Sequence, residues 1–423
     1  MLQGCGSADD ADAEGRRVPA ASTGAAGPAT AGGIAPKVDT VNGIMRWTHD
    51  SAAYASAPRW TLDTTLIGET PGAGGDASFD LTYADIVRLT SDNKVVALAP
   101  VGNSFTVFSA EGRPLHRYFR TGSGPGDLMR PSGLFVLAGD TILVPDEGNQ
   151  RLNWVHPDRG MVRSAPMARL VGTDRLSVRE HVGMAGNRMI AVAQRYGALR
   201  PGDDTTGRDD LRVLQLEQTG AMANEVLRLL GPLAVPYETR YRGRVAVQRT
   251  PPRLAPHPAF AVWNDQVVVG SGAQFDLGLW SPAGTQVAQL AVALRLQPVT
   301  KGMRDAMIAK EVEQFNGQHS ERMVDPAESR RLIDARPWAD SVPAYHGLHP
   351  TRTGLLWVAS YPVIGEGQPW TAIAFGLGGA LLGRVDGRVA GVPLTFGDDR
   401  VVVREEDADG VVRFRIYRLR PPR

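Results

Sequence analysis

Six times along the chain a short run rich in β-branched and apolar residues appears. The runs are Lys94-Val95-Val96-Ala97, Thr141-Ile142-Leu143-Val144, Arg188-Met189-Ile190-Ala191, Gln266-Val267-Val268-Val269, Leu355-Leu356-Trp357-Val358 and Arg400-Val401-Val402-Val403. After each of the first five comes an alternating strand pattern and a turn glycine. Phe105-Thr106-Val107-Phe108 precedes Gly112, Leu152-Asn153-Trp154-Val155 precedes Gly160, and Phe275 to Trp280 precedes Gly284. Alternation bounded by turn residues argues strands. The aromatic residues Phe105, Phe108, Trp154, Trp280, Trp357, Phe414 and Tyr417 fall on these strands and are read as packing between them.

A repeat of roughly 45 residues carrying about four strands marks a propeller blade. The expected fold is therefore an all-β, six-bladed β-propeller over 58–423. The third unit needs an insertion at Pro201–Asp210 before Gly220, and the fifth a shorter one around Gly365–Pro369. The sixth lacks a fourth strand, which Trp60–Ile67 can supply from the N-terminal side, closing the ring and removing free edges. Lys301–Ala335 instead has helical spacing, with Met303, Met307, Ile308, Val312 and Phe315 on one stripe. Asp325-Pro326-Ala327-Glu328 is a second helix start. This predicts a helical insertion at about 300–336, its stripe a packing surface over one face of the ring.

Of the first 36 residues, 10 are Ala, 7 Gly and 3 Pro, with no aromatic. Such a composition buries too little to offset chain entropy, so 1–57 is read as a disordered N-terminal tether. The one Cys of the 423-residue chain is Cys5, in Leu2-Gln3-Gly4-Cys5. That string resembles a bacterial lipoprotein cleavage box, which implies lipidation of Cys5 and an envelope location, periplasmic or surface. A single Cys excludes an internal disulfide or a cysteine metal cluster. Lys+Arg is 46 against Asp+Glu 45, so no bulk field attracts nucleic acid or an anionic membrane. The only membrane attachment expected is the lipid on Cys5, and a monomer is expected.

The second unit carries a family mark. Pro131-Ser132-Gly133-Leu134, then Gly139 to Asp146, then Asn149-Gln150-Arg151-Leu152 resembles the NHL-repeat blade, in which an Asp, an Asn and an Arg close a strand-to-strand turn. Gly122-Ser123-Gly124-Pro125-Gly126-Asp127-Leu128 is similar to a loop common in bacterial six-bladed propeller proteins, many of them lipoproteins. The resemblance is good over about 80–170 and fair over about 340–420. The first unit has Asn103 without the family's Asp and Arg. The resemblance implies a fold and a binding surface, and fixes no activity.

Familiar catalytic strings are missing. Gly122–Gly126 fits neither phosphate-binding pattern, and neither G-x-S-x-G nor H-E-x-x-H occurs. Glu405 to Gly410 begins like a calcium loop, but Ile416 stands where the bidentate Glu is required, so a hairpin turn is the better reading. His346 and His349 have H-x-x-H spacing, but Gly347 and Pro350 argue against a helix that would pair them on zinc. Arg413, Arg415, Arg418 and Arg420 read as a solvated outer face.

One positional argument reaches further. The residue nine before each run is Asp85, Ser132, Arg179, His257, His346 and Gly391, with Glu180, His181 and Tyr345 adjacent. In a propeller this place lies at the rim of the central channel. The candidate ligand-binding set is therefore Asp85, Ser132, Arg179, His257, Tyr345 and His346. The plainer reading is a set of ordinary polar turn residues. The expected role is a non-enzymatic binding module for a protein, glycan or small ligand, with no cofactor. Related propellers include lactonase-like and amidoglycolate-lyase-like metalloenzymes. The resemblance to them would make Asp85, His257 and His346 ligands of a divalent metal polarising a carbonyl or activating water.

Overall fold

A computed structural model describes residues 33–422 apart from 73–80, 119, 171–175, 196–206, 242–243, 319–325, 362–369 and 408–409. Cys5, Gly365–Pro369 and Asp325 lie outside the described residues. The chain opens with strands β1 (Lys37–Val41) and β2 (Ile44–His49), helix α1 (Ser51–Ser56) and strand β3 (Thr61–Glu69). Sheet one is β4 (Ile86–Leu89), β5 (Val95–Ala99), β6 (Ser104–Phe108) and β7 (Pro114–Tyr118). Sheet two is β8 (Phe135–Val136), β9 (Ile142–Asp146), β10 (Arg151–His156) and β11 (Gly160–Pro166). Sheet three has five strands: β12 (Leu176–Ala185), β13 (Arg188–Arg195), β14 (Gly207–Leu216), β15 (Met222–Tyr241) and β16 (Arg244–Thr250).

Sheet four is β17 (Ala259–Trp263), β18 (Gln266–Gly270), β19 (Asp276–Trp280) and β20 (Gln286–Val292). Helices α2 (Lys301–Gln318) and α3 (Pro326–Asp334) follow. Sheet five is β21 (Gly347–Pro350), β22 (Leu356–Ala359), β23 (Trp370–Phe375) and β24 (Leu381–Gly387). Sheet six is β25 (Val392–Phe396), β26 (Arg400–Glu406) and β27 (Val412–Arg420), completed by β3.

All six β-branched runs become the second strand of a sheet. Their side chains are apolar on both faces because both faces are buried. Val95 and Ala97 pack with Val402 and Phe414 of sheet six, whereas Val96 and Leu98 pack with Leu134 and Val144 of sheet two. The same alternation joins sheets two and three through Leu143, Trp154, Met189 and Leu214. Sheets three and four meet through Ile190, Val213, Val267 and Val269, sheets four and five through Val268, Leu279, Val358 and Phe375. Trp357, Trp370, Phe396 and Val403 close the seam of sheets five and six. Six apolar seams thus connect six sheets in a cycle. Burial of each large side chain contributes roughly 1.5–3 kcal/mol.

The first strands sit on the inside of this cycle. β4 contacts β8 and β25, β12 contacts β17, and β21 contacts β17 and β25. The fourth strands face out, with β7 and most of β11 exposed. The expected closure is present: β3 pairs antiparallel with β27, Leu62 opposite Leu419 and Glu69 opposite Arg415.

The second sheet shows what the family-like residues do. The Asp146 carboxylate is fully buried. It accepts from Asn149 Nδ2 at 2.8 Å, Arg130 N at 3.0 Å, and Met129 N and Asn149 N at 3.3 Å. Asn149 Nδ2 also donates to Gly122 O (2.9 Å), and Arg151 Nη2 to Gly124 O (2.8 Å) and Asp127 O (2.6 Å). The turn after β9 is thereby stitched to the loop that leads in from sheet one.

Three expectations need correction. Residues 37–56 are not a tether: β1 and β2 form a hairpin, and β2 pairs in parallel with β20, extending sheet four to six strands. Trp47 packs onto the core of sheets four and five. Of the insertion expected at Pro201–Asp210, residues 201–206 lie outside the described residues, and 207–210 belong to strand β14 rather than to a loop. Sheet three also gains β16, hydrogen-bonded to the end of the 20-residue β15.

The helical insertion stands where expected. Met303, Met307 and Ile308 are buried, and the two methionines pack with Leu254, Val299 and Val342. Arg253, 5% exposed, clamps the Glu311 carboxylate of α2 with Nη2 at 2.6 Å and Nε at 3.1 Å. Lys310 Nζ reaches Glu406 of β26 at 3.3 Å, so α2 runs from the segment before sheet four to sheet six. β26 and β27 pair antiparallel, Gly410 N donates to Asp407 O, and Ile416 lies inside β27, while residues 408–409 lie outside the described residues. Arg413, Arg415 and Arg420 pair with Asp407, Glu69 and Asp63 near the surface.

Candidate functional site

The residues nine before each run all lie at or just before a first strand, so the offset locates the inside of the ring. What they do there differs. Tyr345 is a packing residue: it is buried, its ring edge-on to Phe275, and its hydroxyl donates to Asp276 O (2.8 Å) and accepts from Gly272 N (3.1 Å). His257 is exposed, with Nδ1 2.6 Å from Ala255 O. Asp85 is exposed at one edge, and partial burial raises its pKa against the pull of Arg404. Gly391 has φ +102°, and a Cβ there would strike the Arg404 carbonyl.

Among the described residues no group of three His, Cys, Asp or Glu side chains could hold a metal. Asp85, His257 and His346 therefore do not assemble a metal centre. His346 Nδ1 is instead engaged with Ser360 O at 2.9 Å.

Two other groups do assemble. The first is built on β4, β12 and β21. The Arg88 guanidinium favours the charged form of Glu180 and disfavours protonation of His349. Burial pushes the Glu180 carboxyl pKa up, against the pull of Arg179 and then Arg88. Burial lowers the His349 pKa to about 3, with His346 and Arg88 contributing. His349 Nε2 is buried without a hydrogen-bond partner among the described residues. Glu180 and Arg179 keep solvent contact. Two arginines, a carboxylate and two imidazoles from three sheets thus share the ring's interior, an arrangement suited to a polar ligand rather than an apolar one.

The second group spans sheets two and three. Ser132 Oγ lies 2.9 Å from His181 Nδ1, and His181 N donates to Ser132 O at 2.8 Å. The His181 side chain is fully buried, which lowers its pKa to about 3, so it is neutral at physiological pH. Its Nε2 has no hydrogen-bond partner among the described residues, and stands 3.8 Å from Glu147 Oε1. That exceeds hydrogen-bonding reach.

Of the sequence-derived set, Ser132, Arg179 and His346 fall in these groups, and Asp85, His257 and Tyr345 do not. Arg88 and Glu147 were missed. A lone Arg inside Ile86-Val87-Arg88-Leu89 was the available signal, since a charge on a buried first strand needs a reason. Glu147 carried none beyond its place after Asp146.

No protein-family model matches the chain, and no curated protein matches it in sequence. Solved structures do match in fold. A Bacteroides fragilis protein whose name describes it as exported aligns at 9% identity and TM-score 0.44, over 89% of this chain and 99% of its own. A DUF4221-family member from Bacteroides vulgatus aligns at 9% identity and TM-score 0.47, over 86% and 99%. A gluconolactonase from Xanthomonas campestris aligns at 12% identity and TM-score 0.40, over 92% and 97%. These likenesses are to propeller-type proteins.

Proposed function

We propose that the chain is a six-bladed β-propeller of the bacterial cell envelope that binds a polar ligand at the centre of its ring without catalysing a reaction. The cyclic order of six seams supports six blades. The feature that carries the binding reading is electrostatic coupling of Arg88 to both Glu180 and His349, which links three different first strands. Arg88 and Arg179 suit a carboxylate, and Glu180 a hydroxyl or amine, so a small ligand or glycan end bearing both is the expected class. The metalloenzyme alternative is less favoured, since no trio of His, Cys, Asp or Glu among the described residues is placed to hold a metal.

The test uses glucuronate as a probe, titrated into the full chain by calorimetry. Saturable binding that weakens at least tenfold in Arg88→Ala, with the melting temperature unchanged, supports the reading. No binding, or binding indifferent to Arg88, removes it. Elemental analysis of the purified protein decides the alternative: one metal per chain, lost to chelator together with several degrees of melting temperature, would restore the enzyme class. The envelope location rests on Leu2–Cys5, and mass spectrometry of membrane-fraction protein for a lipid on Cys5 checks it.

A further inference from the structure

We propose that the cavity between sheets two and three is a separate binding site for a small zwitterion of the α-amino-acid class. Its volume is about 450 Å³, in the range of small-molecule sites. Arg130, Glu147 and Gln150 line it from the sheet-two side, and Arg169, Leu176 and Val178 from the sheet-three side. None of the Arg88 group takes part. The lining therefore offers two guanidinium groups, one carboxylate and an apolar wall, the complement of a carboxylate, an ammonium and a short carbon skeleton.

One buried, unpartnered polar atom belongs to the lining residue Gln150, and another lies beside the lining residue Glu147. His181 is 5% exposed, and its Nε2, without a partner among the described residues, stands beside the Glu147 carboxylate at 3.8 Å. Gln150 Oε1 is buried and equally unpartnered. An orphaned buried polar atom is costly, and a polar ligand atom would relieve it. In the tautomer where Ser132 Oγ donates to Nδ1, the neutral ring carries its proton on Nε2, 3.8 Å from Glu147 Oε1. An ammonium drawn to Glu147 needs that carboxylate charged. Burial raises the Glu147 pKa against the pull of Arg130, and closure of the His181 gap by about an ångström would favour the charged form. The anchor is rigid, because Arg130 N is tied to buried Asp146 at 3.0 Å. Arg169 has no acidic partner among the described residues, and Arg130 acts on the neighbouring Glu147 carboxylate.

The experiment is calorimetric titration of the full chain with L-glutamate, and with succinate as the probe lacking an ammonium. Saturable glutamate binding is expected, at least tenfold tighter than succinate. Glu147→Gln should abolish that preference, and Arg130→Ala should weaken both ligands at least tenfold. Arg88→Ala should leave glutamate binding unchanged, which separates this site from the ring centre. Melting curves on each variant confirm folding, and Glu147 and Arg130 reach the surface, so their loss spares the core. No glutamate binding below about 1 mM overturns the proposal, since weaker binding carries no specific recognition. Equal binding of the two probes, or a Glu147→Gln variant that keeps the preference, overturns it as well.

Discussion

Sheets two and three share a seam and are built differently. In sheet two, β9 and β10 pair residue for residue, and the turn between them is locked by Asp146. In sheet three, β12 slips register twice against β13, between Val178 and Glu180 and again between His181 and Gly183, and β14 slips three times against β15. A bulge adds a residue and re-aims its neighbours. Glu180 and His181 lie between the two slips of β12, and they are the residues that sheet three contributes to both polar groups. Sheet two slips once, between Trp154 and Val155 of β10 against β11, and the more irregular sheet three contributes residues to both polar groups.

That contrast predicts where the chain is fragile. Asp146→Ala should show the largest effect. It strands donors from Met129, Arg130 and Asn149 in a buried turn, and each orphaned group costs about 1–3 kcal/mol. A loss of at least about 3 kcal/mol is expected in urea denaturation. A loss under about 1 kcal/mol would mean that the turn is held by its backbone alone, and sheet two would no longer differ in kind.

Next comes Glu311→Ala, which asks whether the insertion is a second frame or an accessory. Arg253 would be left almost wholly buried without its carboxylate, although Arg253 Nη1 still donates to Arg336 O at 3.2 Å. About 2 kcal/mol is expected, since the Glu311 side chain is 37% exposed and water can replace part of the pair. A loss matching that of Asp146→Ala would place α2 within the framework itself.

How much of this was legible follows from the same physics. The second strands were legible because both of their faces are buried, which leaves an unbroken β-branched run. The hairpin at 37–49 was missed although it carried a signal. Asn42-Gly43 sits between alternating residues, and both take positive φ (53° and 79°), as a two-residue type I′ turn requires. The Ala, Gly and Pro content of the preceding 36 residues outweighed it. Strand β16 had no such marker. At the site, a fixed offset found Ser132, where sheet two is regular. In sheet three it landed on Arg179, and the bulges carry Glu180 and His181 into play one and two residues later. No single-sequence offset survives a bulge, because a one-residue slip reverses every side chain.

The buried histidine of the irregular sheet gives a smaller, pH-dependent effect. Burial holds the folded His181 pKa near 3, against about 6.5 unfolded. Between those values the unfolded chain binds the extra proton, so stability falls as pH drops from about 6.5 toward 3. The limiting slope is about 1.4 kcal/mol per pH unit for one histidine. His349 acts with the same sign. Glu147 and Glu180, whose pKa values are raised, oppose it above about pH 4.5, because charging them costs stability as pH rises. His181→Gln should flatten the slope between pH 6 and 5 by up to about 1 kcal/mol. An unchanged slope in denaturation series at those two pH values would mean that the imidazole finds its proton in the folded state.

The smallest effect tests the other half of the comparison. Sheet three has a charge tie of its own, Arg188 Nη2 to Glu217 Oε1 at 2.7 Å, but the two side chains are 41% and 42% exposed. Water screens both ions, and Arg188 keeps Gln215 Oε1 at 3.2 Å when the carboxylate is gone. Glu217→Ala should therefore cost under about 0.5 kcal/mol, and less again in 1 M salt. The contrast with Asp146 is one of burial, not of charge: the same carboxylate chemistry holds a turn where it is sealed from water and does little where it is not. A salt-sensitive loss above about 1 kcal/mol would show sheet three leaning on surface charge in place of turn chemistry. The irregular sheet would then be a differently stabilised frame, and its bulges would owe nothing to the polar groups they present.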